Sequence, residues 1–311
     1  MSHSARRRGL VIAGSSVVAG FTLMAPAYAA ASGHSAAPAA TSAVPAVPAA
    51  TSATSAVPAV TSAAAGRRTP SGALVRPGGV SHLVGPRTVR PGARNTATTS
   101  TNWSGYAATG RFGAFTSVSS SWVEPTARCT SGDQYSSFWV GLDGFSSYSV
   151  EQTGSAVDCI GSTPEYYSWY EMYPAYPVNY SNPVRPGDHF TGSVTVTRGS
   201  TFTLTLSDTT QRWSHTVTRT LFGAARSSAE VIAEAPCCTA DNGILPLTDF
   251  GTVSFSGSTA NGLPLSRFSP VGINMVSQYD VPEDTVSALS GGSFSATWLS
   301  SGNGPRGGSR R

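Results

Sequence analysis

The chain has no lysine, and only 12% of its 311 residues are charged. The formal charge of +4 hides a segregation of sign. Residues 1–94 hold nine arginines and no Asp or Glu, whereas residues 95–311 hold eleven arginines against sixteen acids, a net of −5. The part that can fold is therefore acidic, which argues against a nucleic-acid partner, since that requires a basic face on the domain. Long apolar runs are absent as well: beyond the N-terminus no stretch approaches the ~20 residues that span a bilayer, so no membrane partner is expected. Histidine is scarce, with only His189 and His215 after residue 94, and neither stands at ligand spacing with a cysteine. That leaves no zinc pattern and no GxSxG elbow for a Ser-His-Asp hydrolase. P-loop and dinucleotide fingerprints are missing too, so no cofactor and no metal are expected.

What is present at the N-terminus reads as an address. Arg6, Arg7 and Arg8 precede a short apolar run from Leu10 to Leu23, and Ala27-Tyr28-Ala29 follows as an A-x-A cleavage site. This pattern predicts a signal peptide over 1–29 and a secreted, extracellular product. Residues 30–94 begin with an Ala/Pro/Ser/Thr-rich tract and continue with an Arg-rich one. Neither has the apolar surface to fold, so the segment is expected to be a disordered pro-segment or linker. A domain is expected over 95–300, with a flexible basic tail at 301–311. Secretion permits disulfides. Cys129 with Cys159 is the first expected pair, while Cys237 and Cys238 are free to form a vicinal bridge or to stay reduced.

From Thr101 onward, short β-rich runs such as "SSFWVGLDG", "YYSWYEMYP", "TFTLTLSD" and "GTVSFSG" alternate with Gly, Ser, Asn and Pro punctuation. Phe202, Leu204 and Leu206 recur at period two, and no window holds a helical period over three turns. The expected fold is all-β, an antiparallel two-sheet β-sandwich of jelly-roll or concanavalin-like type with a concave face.

Alternation also sorts the chemistry. Trp139 and Asp143 share one face of "FWVGLDG", with Phe138, Val140 and Leu142 on the other. Trp169, Glu171 and Tyr173 share a face of "SWYEMYP", and Glu230 and Glu234 share a face of "AEVIAE". Carboxylates beside tryptophans on several strands suit a partly wet groove, since a fully buried charge must be paired or neutralised. The same pattern suits a solvated strand face, a sugar-binding module or a jelly-roll glycoside hydrolase, whose two carboxyls also face one cleft.

Six motifs in order favour one reading while the others stay open: "NWSGY" (102–106), "FWVGLDG" (138–144), "EQTG" (151–154), "WYEMYP" (169–174), "AEVIAE" (229–234) and "LTDFGTVSF" (247–255). In this the chain resembles the glutamic peptidases, the eqolisins, secreted acid endopeptidases. The resemblance covers nearly all of 101–299 and implies a β-sandwich with a Gln/Glu dyad on its concave face. It assigns Gln152 and Glu234 as catalytic, and Trp139, Asp143, Trp169, Glu171 and Glu230 as lining the groove. It departs at Val231, where the family has Trp, and at Cys237-Cys238 close behind Glu234. It further implies polypeptide substrates, a monomer, and a pro-segment that inhibits its own enzyme. Glu230 is expected to tune or orient Glu234.

Overall fold

The computed structural model describes residues 97–237 and 243–302. The expected signal peptide, the leader, Cys238 and the tail beyond residue 302 lie outside the described residues. The strands are β1 (Ala97–Ser100), β2 (Trp103–Thr109), β3 (Ser117–Val123), β4 (Gln134–Leu142), β5 (Val150–Ile160), β6 (Thr163–Tyr173), β7 (Val178–Asn179) and β8 (His189–Arg198). They continue as β9 (Thr201–Asp208), β10 (Trp213–Thr220), β11 (Ser228–Glu234), β12 (Thr252–Ala260), β13 (Leu263–Pro264), β14 (Val271–Val276), β15 (Pro282–Val286) and β16 (Phe294–Trp298). One 3-10 turn, Leu265–Phe268, interrupts them.

Hydrogen bonding runs in the order β10-β9-β8-β3-β12-β16-β15-β14-β2-β11-β4-β5-β6-β7. Among the described strands the pairs are antiparallel, apart from β1 beside β14. This ribbon folds back on itself: β4 and β5 lie over β8 and β9, and β11 lies over β3 and β12. The result is the expected two-layered, all-β fold.

Period two explains which residues fill the gap between the layers. Phe138, Val140 and Leu142 of β4, Val231 of β11, and Phe202, Leu204 and Leu206 of β9 share one core with Trp122, Phe190 and Phe255. Each such side chain contributes about 1.5–3 kcal/mol on burial. Val231 thus stands in the core, facing away from the concave side. The outer face of the back layer explains the scarcity of charge. It is paved with hydroxyls that pair across strands, as in Thr203–Thr218 at 3.3 Å, Thr205–Thr216 at 3.0 Å and Ser121–Thr191 at 2.9 Å.

The disulfide between Cys129 and Cys159 forms as expected and ties the loop after β3 to the end of β5. Cys237 is disulfide-bonded as well, so the reduced alternative falls for that residue. Both histidines are structural: exposed His189 begins β8, and His215 stacks on Tyr180 with ring centroids 4.3 Å apart.

The core also holds acids that the sequence reading did not place. Trp122 Nε1 donates to Ser155 Oγ at 2.8 Å, and Ser155 Oγ donates in turn to Glu124 Oε2. Burial pushes the Glu124 carboxyl up to about 8, with Asp188 and Asp208 adding to the rise against the Ser155 bond. Glu151, flanking Gln152, points between the layers by alternation, and burial with Asp143 nearby pushes it up to about 8. Glu283 reaches about 8 through burial alone.

Candidate active site

The concave face is built on β2, β11, β4, β5 and β6, and its register fixes where each polar group stands. One row across these strands is Ala107, Glu230, Gly141, Gln152 and Glu171. The next is Gly105, Ile232, Trp139, Gly154 and Trp169. A third is Trp103, Glu234, Ser137, Ala156 and Tyr167. Trp103, Trp139, Trp169 and Ile232 form an apolar floor separate from the inter-layer core, and Trp103 meets Trp139 edge-on at 4.9 Å.

Glycines let this floor close. A Cβ on Gly154 would stand 2.2 Å from Phe138 O and 2.6 Å from Trp139 Cβ. One on Gly105, whose φ is +142, would stand 2.1 Å from Val231 O. Both positions therefore require a residue without a side chain.

Glu234 is fully buried and held by three donors. Trp139 Nε1 donates to its Oε2 at 2.7 Å, Ser137 Oγ to Oε2 at 3.4 Å and Asn102 Nδ2 to Oε1 at 3.3 Å. Asn102 and Ser137 carried no assigned role in the sequence reading. Asn102 stands in the quoted "NWSGY", and Ser137 shares its face with Trp139 by alternation, so both signals were present. Gln152 is also buried; its Nε2 donates to Glu171 Oε2 at 2.8 Å, and its Oε1 has no partner.

Gln152 and Glu234 share a face, as alternation requires, but they do not sit opposite one another. Ala156, the β5 residue in line with Glu234, is four positions from Gln152. The Trp139 ring lies on the diagonal between them. Its Nε1 touches Glu234, while its Cζ3 edge and Gln152 Cβ both lie about 3 Å from the point where a Cβ on Gly141 would stand.

Three expectations need correction. Asp143 is bound otherwise than alternation predicts: its carboxylate accepts from Arg226 N at 2.6 Å and from Ser227 N at 2.9 Å, so it anchors the turn leading into β11 while staying near enough to Glu230 to raise that carboxyl. A residue at positive φ just past a strand end cannot follow that strand's alternation. Glu230 does not reach Glu234. It stands in the row of Gln152, and burial, then Asp143 and Glu151, hold its carboxyl well above the usual range, with Ser228 opposing. Finally, the face is not partly wet: Gln152, Glu171, Glu230 and Glu234 have no solvent exposure, because the tryptophans and Ile232 pack among them. Trp169 and Glu171 are where alternation put them.

Comparison with known proteins gives the family and the fold. The Peptidase A4 family profile matches residues 101–291. Aspergillopepsin-2 of Aspergillus niger is 28% identical over 172 residues, which are 52% of this chain and 59% of that protein. The chain thus spans less than two thirds of that relative's length. Scytalido-glutamic peptidase, solved with a transition state analog inhibitor, superposes with a TM-score of 0.56 at 24% identity, covering 64% of this chain and 98% of that one. SCP-B, an eqolisin solved with the tripeptide Ala-Ile-His, superposes with a TM-score of 0.52 at 23% identity and the same coverage. At these identities the two solved structures speak to the fold.

Proposed function

Because the chain belongs to the peptidase A4 family, the glutamic peptidases, we propose that it is a secreted acid endopeptidase in which Gln152 and Glu234 act on one water and one peptide carbonyl. What carries the reading is the cradle around Glu234: three neutral donors converge on a single buried carboxylate, with the Trp139 indole spanning from it toward an amide that still has hydrogen-bonding capacity.

The chemistry follows from the groups. Glu234, ionised, takes a proton from water as its oxygen attacks the carbonyl carbon. The oxyanion that forms accepts an N–H from Gln152, a donor of the kind worth about 3 kcal/mol in such sites. Glu234, now a carboxylic acid, gives its proton to the amide nitrogen, the C–N bond breaks, and the carboxylate is restored. No covalent intermediate forms. Gln152 is neutral at every pH, so it exerts no like-charge repulsion on Glu234.

The diagonal offset suits this division. On a flat sheet it puts the two Cα atoms roughly 16 Å apart. Gln152 Nε2 is bonded to Glu171, on the side away from β11, so in this reading it is a substrate lying across the Trp139 ring that brings one carbonyl and one water within reach of both groups. Glu171, bonded to Gln152 Nε2, fixes which way that amide presents its second N–H and its Oε1.

Trp139→Phe tests the cradle. It removes the 2.7 Å bond to Glu234 and keeps an aromatic floor. A hydrogen bond to a charged group contributes about 1.5–3 kcal/mol, so kcat is expected to fall roughly 10- to 100-fold with little change in KM. The acid limb of the rate profile should move to higher pH, because the ionised base has lost a donor. An unchanged rate and profile would show that the contact does not matter.

The charge segregation gives the leader a role. Arg67, Arg68, Arg76, Arg87, Arg90 and Arg94 face a domain of net −5. We assign this segment as an inhibitor that covers the concave face, drawn there by the attraction between its arginines and the acidic domain. Acid weakens the attraction by protonating carboxylates, and salt weakens it by screening. Full-length protein brought to pH 3–4, or given salt at a higher pH, is expected to cut itself within residues 94–100, read by intact mass. Release that ignores salt would contradict the electrostatic account. A casein digest at pH 3–4 beside a glucan panel tests the activity as a whole; cleavage of glucan alone would overturn it.

A further inference from the structure

We infer that a cavity beside Glu234, closed at one end by Glu283, is a substrate subsite for an uncharged hydrogen-bonding side chain, the carboxamide of glutamine. This deepens the peptidase reading and rests on it. The cavity holds about 160 Å³, space for one medium side chain. Its walls are mixed, with Ile244, Leu245, Pro246 and Tyr279 beside the polar side chains of Thr101, Ser277, Gln278 and Ser301.

Its position ties it to the site. Thr101 lines it, and the next residue, Asn102, donates to Glu234 Oε1. Leu245 is bound through its backbone N–H to Pro236 O, two residues past Glu234. The cavity thus stands at the end of the sheet where β11 closes on Glu234.

The chemistry selects the occupant. Glu283 is 2% exposed, and its Oε2 is buried without a hydrogen-bond partner. The only charge-bearing neighbour on its strand is Asp284, which is buried and directed toward Ser104. A carboxyl buried without a cation or donor is held as the neutral acid. Burial indeed raises it to about 8. At acid pH it offers one O–H donor and one carbonyl acceptor, side by side. A carboxamide presents the complementary pair, a C=O and an N–H. An ammonium or guanidinium would bring donors only and would have to strip the proton from Glu283. A purely apolar side chain would leave the acid unpaired, as it is now.

The test is cleavage-site profiling of a peptide mixture at pH 4 by wild type, Glu283→Gln and Glu283→Leu, read by mass spectrometry. One position at a fixed distance from the cut is expected to favour Gln over the near-isosteric Met. Glu283→Leu should lower the Gln/Met ratio about tenfold, the effect of losing a net hydrogen bond or two. Glu283→Gln, an amide in place of a neutral acid, should keep it. The same ratio in wild type and Glu283→Leu overturns the subsite while leaving the peptidase intact. Should wild type cut nothing, the peptidase reading fails, and the cavity is judged by binding of N-acetylglutamine methylamide followed by NMR. Binding to wild type and loss in Glu283→Leu supports it; equal or absent binding overturns it. Glu283→Ala serves in place of the Leu variant if that protein does not fold.

Discussion

Glu234→Gln is expected to leave a folded protein that cuts peptide bonds about 10²–10⁴-fold more slowly at acid pH, the range for loss of a general acid–base. The substitution keeps the size and shape of the side chain. Trp139 and Ser137 can still donate to a carbonyl oxygen in the place of Oε2, and only the 3.3 Å bond from Asn102 to Oε1 loses its acceptor, so most of the cradle stays filled. What disappears is the capacity to take a proton from water and return it to nitrogen. The loss should lie in kcat, with KM nearly unchanged, since the missing interaction belongs to the transition state. Gln152→Ala is expected to lose about 10²–10³-fold, the cost of one oxyanion donor. Near-wild-type turnover by folded Glu234→Gln would remove Glu234 from the chemistry.

The second large effect is on stability. Glu124, Glu151 and Glu283 each rise from 4.5 to about 8 in the folded protein, burial being the main cause. A raised folded value means that the contribution of each group is fully present below the unfolded value. It is lost as pH climbs toward the folded one. Between about pH 4.5 and 8, each group costs the folded state about 1.4 kcal/mol per pH unit. With three such groups the fall is expected to be steep against a total stability of only about 5–15 kcal/mol. Glu230 and Asp284, raised in the same direction, add to the slope. Glu234→Gln is therefore expected to melt highest near pH 3–4 and to melt at progressively lower temperature as pH rises toward 8. Glu124→Gln should raise stability at neutral pH and change little at pH 4. Stability that is level or rising from pH 4 to 8 would contradict the assignment of these groups as buried neutral acids.

Much of this was legible in the sequence because period two carries so much of the fold. The layer assignment of Phe138, Val140, Leu142 and Val231 follows from alternation, as do the outward positions of Trp139, Trp169, Glu171 and Glu234. What alternation cannot give is register. Whether Gln152 lines up with Glu230 or with Glu234 depends on the loop at 143–149, which sets β5 against β4, and on where β11 comes to rest against β4. Asp143 was misplaced because the strand had already ended. The inward acid Glu151 was available by the same alternation that put Gln152 outward. Glu124 and Glu283 gave no local signal, since their burial comes from segments distant in sequence.

The central claim is that an amide and one carboxyl, set diagonally across the Trp139 ring, act on the same water. A double-variant cycle tests it most directly: kcat/KM at pH 4 for wild type, Gln152→Ala, Glu234→Gln and the pair combined. If the two groups act as a unit, the combined variant falls little below Glu234→Gln alone. If the two losses multiply, each residue acts on its own, and the shared water does not exist.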